Sequence, residues 1–138
     1  MEHRFAQEMI AHAREDAPNE CCGMLAGSDG KVAQVYRTAN AYHSPLRYSI
    51  DPREILRVAN DMSQKGWREL GVYHSHVFSE AYPSQTDVSL ALLTGWLGAE
   101  FYYFLVSLKD RANPQLRAYT IEVEDEAPLG LLREHLAT

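Results

Sequence analysis

The sequence has 138 residues, 46% of them hydrophobic, with two cysteines, a formal net charge of −6 and a pI of about 5.4. That suits one domain with a real core and argues against general nucleic-acid binding, which needs a basic face. No window approaches the ~18 consecutive apolar residues of a membrane span, and the charged stretch MEHRFAQEMIAHARED lacks the apolar core of a signal peptide, so a cytoplasmic location is expected.

Phe5, Met9, Ile10 and Ala13 fall at helical spacing and predict an amphipathic helix over His3–Glu15, broken by Pro18-Asn19. Cys21–Ala26 is a short apolar run that predicts a buried strand. Ser28-Asp29-Gly30 is turn chemistry, and the alternating Val32–Arg37 should return antiparallel as the second strand of a hairpin. Thr38–Leu46 reads as a loop and Tyr48–Ile50 as a short strand. Asp51-Pro52-Arg53-Glu54 is a helix start: Asp51 caps, Pro52 takes the first helical position, and Glu54 stands where a capping box puts its carboxylate. Gly66 is a C-terminal stop. Glu69–His76 predicts a strand, Val77–Gln85 a loop, and Asp87–Leu97 a helix so apolar that it should be largely buried. Phe101–Leu108 predicts an aromatic strand, Lys109–Pro114 a turn, Leu116–Val123 a partner strand, and Pro128–Leu136 a short final helix or a loose end. This order predicts an α/β sandwich, a mixed sheet flanked by helices, over a single domain, 1–138.

Chemistry concentrates in Gly71–Asp87, GVYHSHVFSEAYPSQTD. In an extended strand residues i and i+2 share a face, so the imidazoles of His74 and His76 converge. With Asp87 they form a common ligand set for catalytic zinc, water completing the coordination. The alternative for the histidines is two polar residues on an outer strand face. Ser84 and Asp87 also have a local alternative: Ser-x-x-Asp before an apolar run is close to a capping box, and Asp87 should not serve both jobs equally well. Glu20, beside a turn, is either a solvated acid or a general base for a metal-activated water, and spacing alone does not bring it to His74. Cys21 and Cys22, being adjacent, cannot staple distant segments. They read as small hydrophobes on opposite faces of a buried strand. His3, His12, His43 and His135 stand outside any constellation.

His74-Ser75-His76, seven residues, Ser84, two residues and Asp87 resembles the JAMM (MPN+) metalloprotease signature H-x-H-x7-S-x2-D. Glu20-Cys21-Cys22-Gly23-Met24-Leu25 resembles the segment that carries that family's catalytic glutamate. Glu80–Ser84, Asn40, Ser44-Pro45 and Tyr48 look most like the short bacterial CysO-cysteine peptidase branch, with Val77 where many JAMM proteins have proline. The resemblance implies a cytidine-deaminase-like fold, Zn²⁺ held by His74, His76 and Asp87, Glu20 beside the metal as the base, and Ser84 on the oxyanion. It also implies the partner: a ubiquitin-like sulfur carrier protein with a Gly-Gly C-terminus, from whose terminal glycine cysteine is hydrolysed in cysteine biosynthesis. The zinc deaminases themselves fit poorly, because H-x-E and P-C-x-x-C are missing. Two other readings stand beside this one: a peptidase for another ubiquitin-like conjugate, and a metal-free binding scaffold. A homodimer is one candidate assembly.

Overall fold

The computed structural model describes residues 1–124 and 127–135. In chain order it contains α1 (His3–Asp16), β1 (Cys22–Ser28), β2 (Lys31–Thr38), α2 (Pro52–Lys65), β3 (Arg68–His76), α3 (Gln85–Thr94), β4 (Tyr102–Ser107), β5 (Gln115–Glu124) and β6 (Ala127–His135). The strands form one mixed sheet in the order β2-β1-β3-β4-β5-β6. All neighbours are antiparallel except β3 and β4, whose parallel pairing needs the crossover that carries α3.

Helices cover both faces, as expected for the sandwich. On one, Met9 and Ala13 of α1 pack with Cys21, Leu25, Tyr73 and Val106. On the other, Val58 and Met62 of α2 and Ala91 of α3 pack with Cys22, Met24, Val72 and Leu105. The adjacent cysteines therefore divide between the two cores, and burial pushes each thiol up to about 12, which leaves both inert as nucleophiles. Gly23 lies opposite Tyr73 in the β1–β3 register, and a Cβ there would come within 2.1 Å of the Tyr73 ring. Glycine lets the two strands close while that ring lies between them.

Four sequence expectations are corrected. The chain end Ala127–His135 is a strand, not a helix or a loose end: without it β5 would expose a row of unpaired backbone groups, and sheet completion outweighs local helix propensity. Helix α3 is not largely buried. Asp87 and Ala91, one turn apart, are its buried residues, Leu90 packs partly buried against the same core, and Leu93 is 84% exposed, so the short helix buries one stripe of a sequence rich in apolar residues. The start of α2 makes half of its expected box: Asp51 accepts from Arg53 N–H, while the Glu54 carboxylate pairs with Arg57 instead of returning to the cap. Tyr48–Ile50 is reduced to a single bridge, Asn40 with Ile50. Gly66 ends α2 in the left-handed conformation, as its position predicts.

Candidate metal centre

Strand β3 delivers His74 and His76 to the same face at its C-terminal end, where the chain leaves the sheet. Their Nε2 atoms are 3.2 Å apart. Asp87, in the first turn of α3, brings Oδ2 to 3.1 Å from both. All three side chains are buried, His74 to 1% exposure. A tetrahedral zinc ion with bonds of ~2.0–2.1 Å sets its ligand atoms ~3.3–3.4 Å apart. The observed triangle matches that edge to within a few tenths of an ångström. His76 Nδ1–H donates to Glu80 O at 2.9 Å, which leaves the lone pair of Nε2 facing the triangle. Two imidazole nitrogens and a carboxylate oxygen thus converge in a buried pocket, a donor set that fits a divalent cation.

Glu20 completes the cluster. It precedes β1, and the antiparallel register that pairs Cys22 with His74 sets it across from His76. Ligand atoms of Glu20, His74 and His76 all lie within 4.8 Å of one another. Two carboxylates therefore approach the histidine pair, Asp87 the more closely. Glu20 is 4% exposed and its Oε1 has no hydrogen-bond partner among the described residues. Burial pushes its carboxyl up to about 8, against the charge of His76 and with that of Asp87. The solvated alternative for Glu20 is thus excluded.

Asp87 behaves oppositely. Burial works to raise its pKa, but the charge of His74 and hydrogen bonds from His74, His76 and the Ser84 N–H hold it well below the usual carboxylate range. Burial lowers His74 despite Asp87. It opposes the charge on His76 too, but there the bonds to Asp87 and Glu80 O prevail, and the pKa rises.

The cap and the site are one arrangement. Asp87 N–H donates to Ser84 Oγ at 3.1 Å, and Ser84 N–H donates to Asp87 Oδ2 at 2.8 Å, a complete capping box. The same Oδ2 faces both histidines, so one oxygen meets the geometry of both jobs, which the sequence had set against each other. Ser84 is exposed, and its Oγ accepts from Asp87, which leaves the hydroxyl proton free to donate outward.

Sequence reasoning gave the supports no role. Ser75, between the histidines, accepts from Cys21 N–H at 2.8 Å and locks the strand end beside Glu20. Tyr48 stacks on the His74 ring. Asn40 bonds the backbone of Glu20. A serine within H-x-H on a buried strand was the local signal for Ser75, while Asn40 and Tyr48 entered only through the resemblance. Of the histidines set aside, His12 is buried and satisfied by Tyr73 Oη at 2.6 Å and Asp16 at 3.2 Å. A cleft of about 490 Å³ walled by Glu20, Asn40 and His43 borders the centre, and another, of about 510 Å³, is walled by Glu80, whose carbonyl holds His76, with Ala81 and Tyr82. Among the described residues no helix is long and apolar enough to cross a membrane.

Residues 2–122 match the family model described as prokaryotic homologs of the JAB domain. The chain is 41% identical over 131 residues to a CysO-cysteine peptidase of Mycobacterium tuberculosis, spanning 92% of this chain and 86% of that protein. It is 35% identical over 96 residues to a desampylase of Haloferax volcanii, 64% of this chain and 69% of that one. Among solved structures, a protein of Desulfitobacterium hafniense superposes with a TM-score of 0.78 at 35% identity, covering 96% of this chain and 86% of that chain. A JAB1/MPN domain protein from Archaeoglobus fulgidus shares the fold, with a TM-score of 0.52 at 19% identity over 83% of this chain and 81% of that chain.

Proposed function

The chain belongs to the prokaryotic JAB-domain family and is a hydrolase of that family, and from this premise we propose that it is a zinc-dependent peptidase that releases cysteine from the C-terminal glycine of a ubiquitin-like sulfur carrier protein. The observation that carries the chemistry is the 3.1–3.2 Å triangle of His74, His76 and Asp87 with the Glu20 carboxylate beside it. The substrate class rests on similarity to the CysO-cysteine peptidase over most of both chains. We place the activity in one domain, residues 1–138, and in cysteine biosynthesis.

His74, His76 and Asp87 would hold Zn²⁺. When bound, zinc supplies Lewis acidity and brings the pKa of a bound water to about 7. Glu20 takes a proton from the attacking water and passes it to the leaving amine nitrogen, the two halves of general base and general acid work. Its burial and its lack of a hydrogen-bond partner at Oε1 suit a group that must exchange a proton with substrate. Ser84 Oγ–H donates to the oxygen of the tetrahedral intermediate. Asp87, fixed by the capping box, stays ionised and accepts no proton in the cycle.

The carrier's extended tail fits between the Val77–Gln85 loop and the Tyr42–Tyr48 segment, where Tyr42, Leu46, Phe78 and Tyr82 are exposed. Main-chain hydrogen bonds to an added strand supply affinity in such a groove. The desampylase similarity supports a second reading, cleavage of another ubiquitin-like conjugate by the same site. Incubation with a carrier–cysteine adduct and mass spectrometry of both products separates the two. Free cysteine with the carrier ending in Gly-Gly is the expected result. An intact adduct, beside cleavage of a carrier joined to a lysine side chain, would establish the second reading.

A further inference from the structure

The two candidate histidine ligands are oriented differently. His76 has its ring fixed at the outer nitrogen by Glu80 O, 2.9 Å away. His74 Nδ1 is buried with no hydrogen-bond partner among the described residues. A ligating histidine ordinarily donates from its second nitrogen, which sets the ring's rotation. What His74 has instead is a flat contact: the Tyr48 ring lies 4.2 Å from it, centroid to centroid, at an interplanar angle of 21°. Tyr48 is 5% exposed, so the contact is packed from behind.

Asn40 connects that ring to the Glu20 segment. Its buried amide uses all of its capacity. Nδ2 donates to Glu20 O at 3.1 Å and Arg47 O at 3.0 Å. Oδ1 accepts from Tyr42 N–H at 3.0 Å and Ser49 N–H at 3.2 Å. Arg47 and Ser49 flank Tyr48, so one side chain grips the backbone on both sides of the stacking residue and the carbonyl of Glu20 at once. Glu20 N–H donates to Ser44 O at 2.8 Å, tying the same loop to the other side of that residue. Aspartate has no donor for the two carbonyls, and glutamine sets its amide a methylene further out.

We infer that Asn40 and Tyr48 are positioning residues that hold the Glu20 carboxylate and the His74 imidazole in one register, Tyr48 by stacking on His74 and Asn40 by bonding the backbones of both segments. This rests on the proposed metal site. Loss of the stack frees His74 to rotate and weakens metal binding. Loss of the amide donors releases Glu20 O, so Glu20 drifts from the metal ligands and turnover slows, while the two bonds that Oδ1 accepts from Tyr42 N–H and Ser49 N–H still hold the groove segment in place after Arg47 O is released.

The test measures Zn²⁺ affinity by competition with a chromophoric chelator, and kcat and KM on the carrier–cysteine adduct. Tyr48→Met fills the space without a flat face, and its Zn²⁺ affinity should fall ~10–100-fold, the range for lost outer-shell support. Tyr48→Phe keeps the stack and should stay within about threefold of wild type. Tyr48→Leu replaces the methionine variant should that not fold. Asn40→Asp keeps both acceptors and loses both donors, and its kcat should fall tenfold or more with KM within about threefold. Wild-type affinity in Tyr48→Met, equal losses in Tyr48→Phe and Tyr48→Met, or a wild-type kcat in Asn40→Asp would overturn the inference. If wild type binds no Zn²⁺, the metal site falls and the inference with it. If wild type binds Zn²⁺ but leaves the adduct intact, only the substrate reading fails, and the affinity comparison decides the inference.

Discussion

Replacing Glu20 with glutamine keeps the shape of a side chain that is 4% exposed and removes its ability to ionise. In the metal-free protein burial raises this carboxyl from 4.5 to about 8. A raised folded-state pKa means that the folded protein holds the proton more tightly than the unfolded chain does. The stability linked to that proton is fully present below about 4.5 and is lost as pH rises to about 8. At ~1.36 kcal/mol per pH unit the ceiling is ~5 kcal/mol, and relaxation of the site brings the realised loss to a few kcal/mol. Glu20→Gln has no such loss. Urea unfolding of chelator-treated wild type and variant at steps from pH 5 to 9 should give curves that diverge toward alkaline pH, the variant ahead by a few kcal/mol at pH 8. The same variant should retain Zn²⁺ and lose ~10²–10⁴ in kcat. Parallel stability curves across that range would refute a buried, unpartnered carboxyl at Glu20. Near-normal turnover would refute its role as the base.

Other outcomes follow from the same geometry. His76 titrates above its ordinary 6.5, and a proton on it competes with the metal, so Zn²⁺ affinity should rise with pH until His76 is neutral. Calorimetry in two buffers of different ionisation heat should show proton release on binding, and pH-independent affinity would contradict this. Ser84→Ala removes both an oxyanion donor and a cap: kcat should fall by ~10²–10³ and thermal unfolding should report a loss of ~1 kcal/mol. Ser84→Thr should restore the cap. Gly23→Ala forces a methyl group to within 2.1 Å of Tyr73, which should destabilise by ~1–3 kcal/mol or more, read as a lower urea midpoint at unchanged slope.

The local rules read much of this molecule from its sequence. Alternation across a strand put His74 and His76 on one face, and Ser84-x-x-Asp87 announced the cap. The resemblance brought Glu20 into the cluster. Spacing could not, because its place beside His76 depends on a pairing between strands some fifty residues apart, with Cys22 opposite His74. The dual use of Asp87 Oδ2 was hidden for the same reason: the cap is a local hydrogen bond, and the contact with the histidines is tertiary. Asn40 read as a loop residue and Tyr48 as part of a short strand, and neither was given a role at the site, because their partners lie in β3 and in the turn before β1. The outer stripe of α3 was misjudged because composition favoured burial where a short helix buries one stripe, and the final strand was misjudged because the open edge of β5 decided against a helix.

The central claim is that His74, His76 and Asp87 are the ligands of one metal ion. A crystal of the protein grown with Zn²⁺ and measured at the zinc absorption edge tests it directly. The account predicts one strong anomalous peak per chain, ~2.0–2.2 Å from His74 Nε2, His76 Nε2 and an Asp87 carboxylate oxygen. The absence of a peak inside that triangle would contradict it, as would a peak held by the Glu20 carboxylate in place of Asp87.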